Sequence, residues 1–397
     1  MITNTPPTTE ISTHKRVITQ PVHVTFGHAR KAGLLFFLCS GLALLVMLHI
    51  AIGYIPSVPP VAATCANLMS STDYTQAVGF QPANQQMAAV QMVNNLTDGS
   101  PAALVQVTTP NLQNALDAYV FGCSIEHNQP QVHQLFSQQG LSQGTVELTP
   151  EHTLLTAALD TKLSPNTIPF LQPLQQNIYR EYAWHAGRFA QVLFPGLYPV
   201  ASRSEAQALQ QNFNNGQQLL WHDPLATSQQ MAKDLLHWSQ ASSALLVSQT
   251  GDTALVELTS QSPRVTIEVT LQQMIQPGSN GLWFVTDAHT KGMLLMRAGT
   301  SNEPFPQTAT SPMSFSGANA LTDGHTSATL FDHTLTPLSH ASSVPLTVQP
   351  NSAYSGTLTY SGVLPGQQGV LLIESLPQTK NQAKEPGQLL LTSVILD

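Results

Sequence analysis

The chain has 397 residues, more than one ordinary domain holds, and this length predicts about two or three domains. Charged residues make up only 9% of the chain, against about 25% in an average soluble protein, and the net charge is −8. Such sparse and acidic charge argues against a basic surface for nucleic acid, so we expect no nucleic-acid partner.

An uncharged apolar run, AGLLFFLCSGLALLVMLHIAIGYI, occupies residues 32–55. As a helix it would be about 36 Å long, enough to cross a hydrocarbon core of about 30 Å, so we predict a single transmembrane helix in the lipid bilayer. Residues 1–31 are rich in Thr and Pro and carry four basic residues and one acidic residue. This composition predicts a disordered tail on the cytoplasmic side of the plasma membrane.

The residues from 56 onwards are then extracytoplasmic, and they hold 10 basic and 21 acidic residues, a net charge of −11. A cleaved signal peptide is the alternative, because Val61–Ala63 spells a small-residue cleavage site. The apolar run is longer than the core of a signal peptide and starts farther from the first residue, which favours the anchor.

Three cysteines are present, and Cys39 falls inside the apolar run. Cys65 and Cys123 fall outside it, where an even pair in an oxidising compartment predicts a disulfide. Two separate free thiols are the alternative that the sequence leaves open.

Residues 56–84 begin with the Pro-rich PSVPPVAAT and are predicted to form an extended linker. The next stretch, NQQMAAVQMVNNL, predicts a short helix that ends at Asp98-Gly99. Short apolar runs separated by turn residues then predict a meander of strands, AALVQVTT, NALDAYVFGC, GTVELT and TLLTAALD, with a hairpin in IYREYAWHAGRFAQVLF. We therefore predict a β-rich domain over residues 85–200.

The pattern changes to helical periodicity at Ser202, which opens SRSEAQALQQNF with Glu205 three residues on, as in a capping box. Asp223 is predicted to cap a second helix, DPLATSQQMAKDLLHW. Four strand-like runs follow, SALLVSQ, TALVELT, RVTIEVTLQQM and GLWFVTDA. Residues 201–298 are therefore predicted to be an α+β domain with helices on one face of an antiparallel sheet.

Aromatic side chains of this region raise the question of a binding cleft. Trp221, Trp238 and Trp283 are candidates to line a cleft that stacks a sugar or a peptide, and core packing is the commoner fate of such residues. Asp287 and His289 follow the alternation of a strand and its exit loop, with no third group at a defined spacing to orient them. We expect them to be structural.

A Pro- and Thr-rich linker is predicted over residues 299–310. Residues 311–397 then hold six or seven short strands with turns between them, the outline of an immunoglobulin-like β-sandwich. The expected fold is thus mixed and mainly β, with three extracytoplasmic modules in series.

The last block, SPMSFSGANA, SGTLTYSGVLPGQQGVLLIES and LLLTSVIL, resembles the Gmad-type immunoglobulin-like domain of bacterial spore germination proteins. The resemblance lies in Ser311-Pro312 leading to Gly317, in Gly356 before an apolar strand, and in the Pro365-Gly366 turn. It implies a bacterial envelope protein in which this domain serves binding or assembly, with no catalytic residue to carry over. The helical stretch that begins at Ser202 is similar to segments of uncharacterised membrane-anchored bacterial proteins.

Histidines next to acidic residues suggest metal ligands, but His325 and His333 would lie about 27 Å apart on a strand, too far for one ion. No Gly-x-Ser-x-Gly motif and no Gly-rich phosphate loop is found. We expect no metal, no cofactor and no catalysis.

The function we predict is a membrane-anchored, non-catalytic interaction or assembly protein of the cell envelope, with an envelope protein as its partner. One alternative is a receptor that binds a small molecule or cell-wall fragment in the α+β domain. The other is an envelope hydrolase whose site follows no familiar motif.

Overall fold

The computed structural model describes residues 60–112, 114–161, 176–238, 243–298, 308–321, 324–345, 353–363, 365–377 and 385–397. In these residues antiparallel strands in four sheets predominate and helices are few, which confirms the prediction of a mainly β chain. The residues from Val61 to Asp397 form one compact unit.

The run predicted to cross the membrane, 32–55, lies outside the described residues, as does the tail 1–31. Among the helices that the structure describes, none is both long and apolar enough to span a bilayer.

The first sheet has the order β1-β2-β3-β4, a simple meander. Its strands are β1 Gln86–Val93, β2 Ala102–Thr109, β3 Ala115–Glu126 and β4 Gln129–Leu141. Helices α1 (Pro60–Ser71) and α2 (Tyr74–Ala77) cover one face of it through Met69 and Tyr74, which pack with Val105 and Phe121.

Two predictions for this region are corrected. Within 56–84, predicted to be an extended linker, the structure has helices α1 and α2, because Met69 and Tyr74 find an apolar sheet face to pack on. The predicted helix at 84–96 is instead strand β1, which pairs with β2 from Gln86 to Val93 with one irregularity at Ala88.

The second sheet is the meander β5-β6-β7-β8, comprising β5 Thr145–Leu148, β6 Leu154–Ala158, β7 Ile178–His185 and β8 Arg188–Val192. It shares a core with the first sheet through side chains such as Leu104, Val120, Leu154 and Ile178. Successive residues of β2 point to opposite faces, so Leu104 joins this core while Val105 packs on the helical side.

The α+β region begins with helix α3 (Arg203–Asn214), whose N-cap is Ser202 as predicted: the Ser202 side chain accepts from the Glu205 backbone N–H. A 3₁₀ turn (Leu220–His222) leads to helix α4 (Pro224–Asp234), capped by Asp223 as predicted. Strands β9 Ser243–Thr250, β10 Thr253–Gln261, β11 Arg264–Gln272 and β12 Phe284–His289 then form an antiparallel meander.

The remaining strands do not form a separate body. They are β13 Leu294–Ala298, β14 Thr308–Ala309, β15 Met313–Ala318, β16 Gly324–Phe331, β17 Pro337–Pro345, β18 Ala353–Leu358, β19 Gln367–Pro377 and β20 Gln388–Leu396. One sheet has the order β17-β16-β19-β20-β12-β11-β10-β9, with β14 also paired to β20, and a three-stranded sheet has the order β13-β15-β18.

This topology crosses both predicted boundaries of the last two modules. Strand β20 pairs with β12, so one sheet runs from the 201–298 region into the 311–397 region. Strand β13, inside 201–298, pairs with β15, and β14 turns part of the predicted linker 299–310 into sheet.

Strands β19 and β20 lie between two apolar cores. On β19, Val370 and Leu372 join the core that contains Trp283 and Phe284, whereas Leu371 and Ile373 join the core of the three-stranded sheet. Because neighbouring residues of a strand face opposite sides, one apolar run serves both cores and fuses the two regions.

Candidate functional site

A partly enclosed, mainly apolar cavity lies beside helix α4 and the 3₁₀ turn. Its volume is about 330 Å³, at the lower end of the range for small-molecule sites. Its wall consists of Tyr198, Pro199, Gln218, Leu219, Leu220, Trp221, Gln230, Asp234, Leu235, Thr334 and Leu335.

Helix α4 supplies the polar groups of one wall. The Asp223 cap starts the helix, and Gln230 and Asp234 follow four residues apart on the same helical face. The Gln230 Nε2 donates to Asp234 Oδ1 at 2.9 Å. The cap thus fixes the start of the helix, and the amide helps orient the carboxylate at its end.

The wall also contains Tyr198, whose backbone oxygen accepts from the Val285 N–H of β12 at 2.9 Å. The Tyr198 hydroxyl donates to Asp234 Oδ2 at 2.7 Å. Burial raises the pKa of Tyr198 strongly, and the hydrogen bond and charge of Asp234 raise it further. The phenol therefore stays protonated and acts as a hydrogen-bond donor.

Among the described residues of this wall, Asp234 has the only charged side chain, a carboxylate. Aromatic and aliphatic side chains dominate the rest of the wall, and Tyr198, Trp221 and Leu235 are themselves buried. Leu220 is 54% exposed and lies at the solvent side. The cavity is apolar with a single anionic group.

A second, wider depression of about 570 Å³ shares Gln218 and Leu219 with the cavity. It is more polar, with Asn214, Gln276 and Asn280 among its lining residues. Asn214 Nδ2 donates to Gln276 Oε1 at 2.9 Å, so two of these amides already satisfy each other. We regard the enclosed apolar cavity as the better binding site.

The three tryptophans proposed for a cleft are all buried in one core, with Trp221, Trp238 and Trp283 at 6%, 4% and 2% exposure. Trp221 is also in the wall of the cavity, whereas Trp238 and Trp283 are not. The backbone N–H of Trp283 donates to the backbone oxygen of Trp221 at 2.7 Å, and this bond connects the segment before β12 to the 3₁₀ turn.

Asp287 and His289 lie two residues apart on β12, where His289 Nδ1 is 2.6 Å from Asp287 Oδ2. Both side chains are partly exposed, at 44% and 35%. Within the described residues, the hydrogen bond seen for the His289 ring is the one with Asp287, and no hydroxyl or thiol bonds to it.

The two histidines weighed as metal ligands have different environments. His325 is exposed at the start of β16, whereas His333 is buried in the turn after it. His333 Nδ1 is 2.7 Å from Oε1 of Glu205, a residue with no exposed surface, and its ring packs edge-on against Tyr179. In the part of the chain that the structure describes, no three His, Cys, Asp or Glu side chains group as metal ligands would.

Burial by itself would lower the pKa of His333, but the charge and hydrogen bond of Glu205 raise it, as do Asp332 and the Asn177 backbone, and the net direction is upward. Glu205 Oε2 also accepts from the Ser202 hydroxyl at 2.6 Å. The capping glutamate predicted from sequence therefore also holds the buried His333 ring from the C-terminal region and favours its protonated form.

The two cysteines considered for a bridge, Cys65 on α1 and Cys123 on β3, form a disulfide with a Cα–Cα distance of 5.7 Å. Both are buried in the core between α1 and the first sheet. The bond ties the helix in the predicted linker to the β-rich region.

No family model and no curated protein matches this chain. The features that bear on function are therefore the cavity beside α4 and the exposed edge strands of the sheets.

Sequence reasoning did not identify Tyr198, Gln230 or Asp234 as members of a site. The spacing of Gln230 and Asp234 on a capped helix was the available signal, since residues four apart share a helical face. The sequence around Tyr198 does not indicate its role, because its partner Asp234 is 36 residues away along the chain and the two meet only in the folded structure.

Proposed function

We propose that the chain is a membrane-anchored, extracytoplasmic protein of the bacterial cell envelope that binds another protein and performs no catalysis. The apolar run 32–55 and its basic flank support the anchor and its orientation. The disulfide Cys65–Cys123 is consistent with an oxidising compartment and adds weak support.

We also propose that the last region is an immunoglobulin-like sandwich related to the Gmad type. In support, the three-stranded sheet encloses an apolar core with β16, β19 and β20. A side chain at Gly317 would collide with the Leu294 carbonyl and Tyr354, and one at Gly356 would collide with the Phe315 ring. Close packing across the sheet thus accounts for two glycines on which the resemblance depends.

One observation carries the proposal of protein binding: large apolar side chains are exposed mainly on strands at sheet edges. In the described residues, β1, β9 and β13 each end a sheet. They carry seven of the ten exposed large apolar residues, namely Val90, Met92, Leu245, Leu246, Val247, Leu294 and Met296. Exposed apolar edge strands are ready templates for another polypeptide.

Strand β9 is the best of these surfaces. It contains neither a charged residue nor proline, two common means of blocking an edge. Leu245 and Val247 are 61% and 53% exposed. A bulge at Val247 interrupts the pairing with β10 and leaves Ser243–Leu246 regular. We assign as its partner an extended, apolar segment of an envelope protein.

Replacing Leu245 and Val247 together by lysine is expected to abolish binding of this partner. Burying an apolar side chain of this size stabilises a complex by about 1.5–3 kcal/mol, and each lysine would replace that contact with a charge. The measurement is crosslinking in cells from a photoreactive residue placed in β9 at Ser248, with the crosslinked peptides identified by mass spectrometry.

Leu112→Lys is the matched control, since Leu112 is 66% exposed but belongs to the turn between β2 and β3. It should leave the crosslinks unchanged. If the double variant folds and keeps the same crosslinked peptides, or if the Leu112 control loses them equally, β9 is not the docking surface.

A second function, that of a receptor for a small molecule, is favoured by the cavity beside α4. Its 330 Å³ volume, its apolar wall and its hydrogen-bonded Tyr198–Asp234 pair are typical of a ligand site. Saturable binding of a small aromatic molecule, monitored by tryptophan fluorescence, tests this function. Absence of saturation for such molecules would remove it.

A further inference from the structure

The cavity beside α4 places one negative charge next to two aromatic rings. We propose that it binds a small organic cation, a primary or secondary amine on a compact aromatic or aliphatic body. The inference depends on the receptor function proposed above and specifies its ligand by charge.

The charge of Asp234 is the first argument. Its two oxygens each accept one hydrogen bond, from the Tyr198 hydroxyl at 2.7 Å and from the Gln230 amide at 2.9 Å. Both donors are neutral, and no ion pair joins Asp234 to a basic side chain among the described residues. Since a carboxylate has about four acceptor positions, an ammonium group would add the missing charge and further donors.

The aromatic groups are the second argument. Tyr198 and Trp221 both line the cavity, and the Tyr198 hydroxyl donates to Asp234. This bond holds the Tyr198 ring at the carboxylate, and a cation over an aromatic face gains about 0.5–2 kcal/mol. An anionic ligand would instead meet the charge of Asp234 in a partly apolar cavity, which disfavours it.

Size and polarity limit the body of the ligand. A cavity of about 330 Å³ is at the lower end for small-molecule sites and suits a compact molecule. Leu219, Leu235 and Leu335 offer apolar contact and no hydrogen bond from their side chains. A polyhydroxylated sugar would leave many hydroxyls without partners here, whereas an amine with one apolar group would not.

The test compares three molecules of nearly the same shape: phenethylamine, 2-phenylethanol and phenylacetate. Binding to the full chain in detergent is measured at near-neutral pH by calorimetry and by tryptophan fluorescence. We expect the amine to bind about fivefold or more tighter than the alcohol, and the acid to bind weakest.

Asp234→Asn is the informative variant, because the amide keeps an acceptor oxygen for Tyr198, can donate to a turned Gln230 amide and removes the charge. The preference for the amine over the alcohol should disappear, with the thermal unfolding midpoint preserved. Asp252→Asn, in the turn between β9 and β10, is the control that removes an equal charge away from the cavity and should keep the preference.

Equal affinity for the three molecules would overturn the cation assignment and leave the receptor function standing. A loss of preference in Asp252→Asn equal to that in Asp234→Asn would also overturn it, because the effect would then come from the overall negative charge. If none of the three molecules saturates, both the assignment and the receptor function fail.

Discussion

Replacing His333 by alanine is expected to lower the free energy of unfolding by about 3–5 kcal/mol, because it leaves the carboxylate of Glu205 buried without its charge partner. Glu205 has no exposed surface, and His333 is 6% exposed. The hydrogen bond that Glu205 accepts from the Ser202 hydroxyl is neutral and does not replace the lost charge. Urea unfolding of the purified chain, followed by tryptophan fluorescence, measures the change.

His325→Ala is the matched control, since this histidine is exposed at the start of the same hairpin strand β16. It should change the free energy of unfolding by about 0.5 kcal/mol or less. A variant that removes both charges, Glu205→Gln with His333→Gln, should be more stable than His333→Ala. Equal destabilisation by His325→Ala and His333→Ala would refute the buried ion pair.

The same pair gives stability a defined pH dependence. The folded-state pKa of His333 lies above its ordinary value of 6.5, so folding binds a proton. The stabilising contribution is fully present below about pH 6.5 and is lost as pH rises through the folded pKa. The charged or titratable groups around the ring are Glu205 on α3, Tyr179 on β7 and Asp332 in its own turn.

The difference in stability between the wild-type chain and His333→Ala should therefore be larger in mildly acidic than in alkaline buffer. Unfolding measured across this range tests the sign directly. A difference that grows with rising pH would show that His333 is neutral in the folded chain.

Removing the disulfide by the paired change Cys65→Ala and Cys123→Ala is expected to cost about 4 kcal/mol in the chain-entropy model. The bond closes a loop between positions 58 residues apart, and its loss enlarges the unfolded ensemble. Both positions are buried against Tyr74 and Phe121, so alanine is chosen to avoid a buried hydroxyl.

Cys39→Ala is the control, because Cys39 is the third cysteine and Cys65 and Cys123 bond to each other. It should leave the unfolding midpoint unchanged in the absence of reductant. Thiol titration of the denatured, unreduced chain should find one free thiol in the wild type and none in Cys39→Ala. Equal stability of wild type and the paired alanine variant would show that the bond does not stabilise the fold.

Most strands could be predicted from sequence where one side of the strand faces a core. AALVQVTT corresponds to β2 exactly, and RVTIEVTLQQM contains β11 with its regular alternation of buried and exposed residues. The alternation of apolar and polar residues is a local property of the sequence, so it can be recognised without the tertiary structure. Strand β1 was missed because both its faces are largely exposed and its sequence does not alternate.

The division into modules could not be predicted, for a physical reason visible in β19. Its apolar run Val370–Ile373 is what a strand of a separate sandwich core would show, and equally what a strand between two cores requires. A continuous apolar run indicates that both faces of the strand are buried. It does not indicate which elements cover each face. Only the structure shows that one face packs against Trp283 and Phe284.

The site residues show the same limit. The capping role of Glu205 follows from its spacing to Ser202, but its contact with His333 spans 128 positions and has no local signature. Trp221 could be proposed from its residue type alone. The Tyr198–Asp234 pair could not, because Tyr198 is positioned by the contact of the segment before α3 with Val285 of β12.

The position of β20 in the large sheet constrains the order of events during synthesis. β20 follows all the other strands of that sheet along the chain, yet it lies between β19 and β12 in the interior. A nascent chain therefore makes β9–β12 long before the strand that covers the edge of β12 exists. Until Leu389 and Leu391 arrive, the core around Phe284 stays open, and this intermediate is exposed to mispairing and aggregation. We expect the large sheet to fold late and slowly, and its folding to depend on protection of the β12 edge until β20 is made.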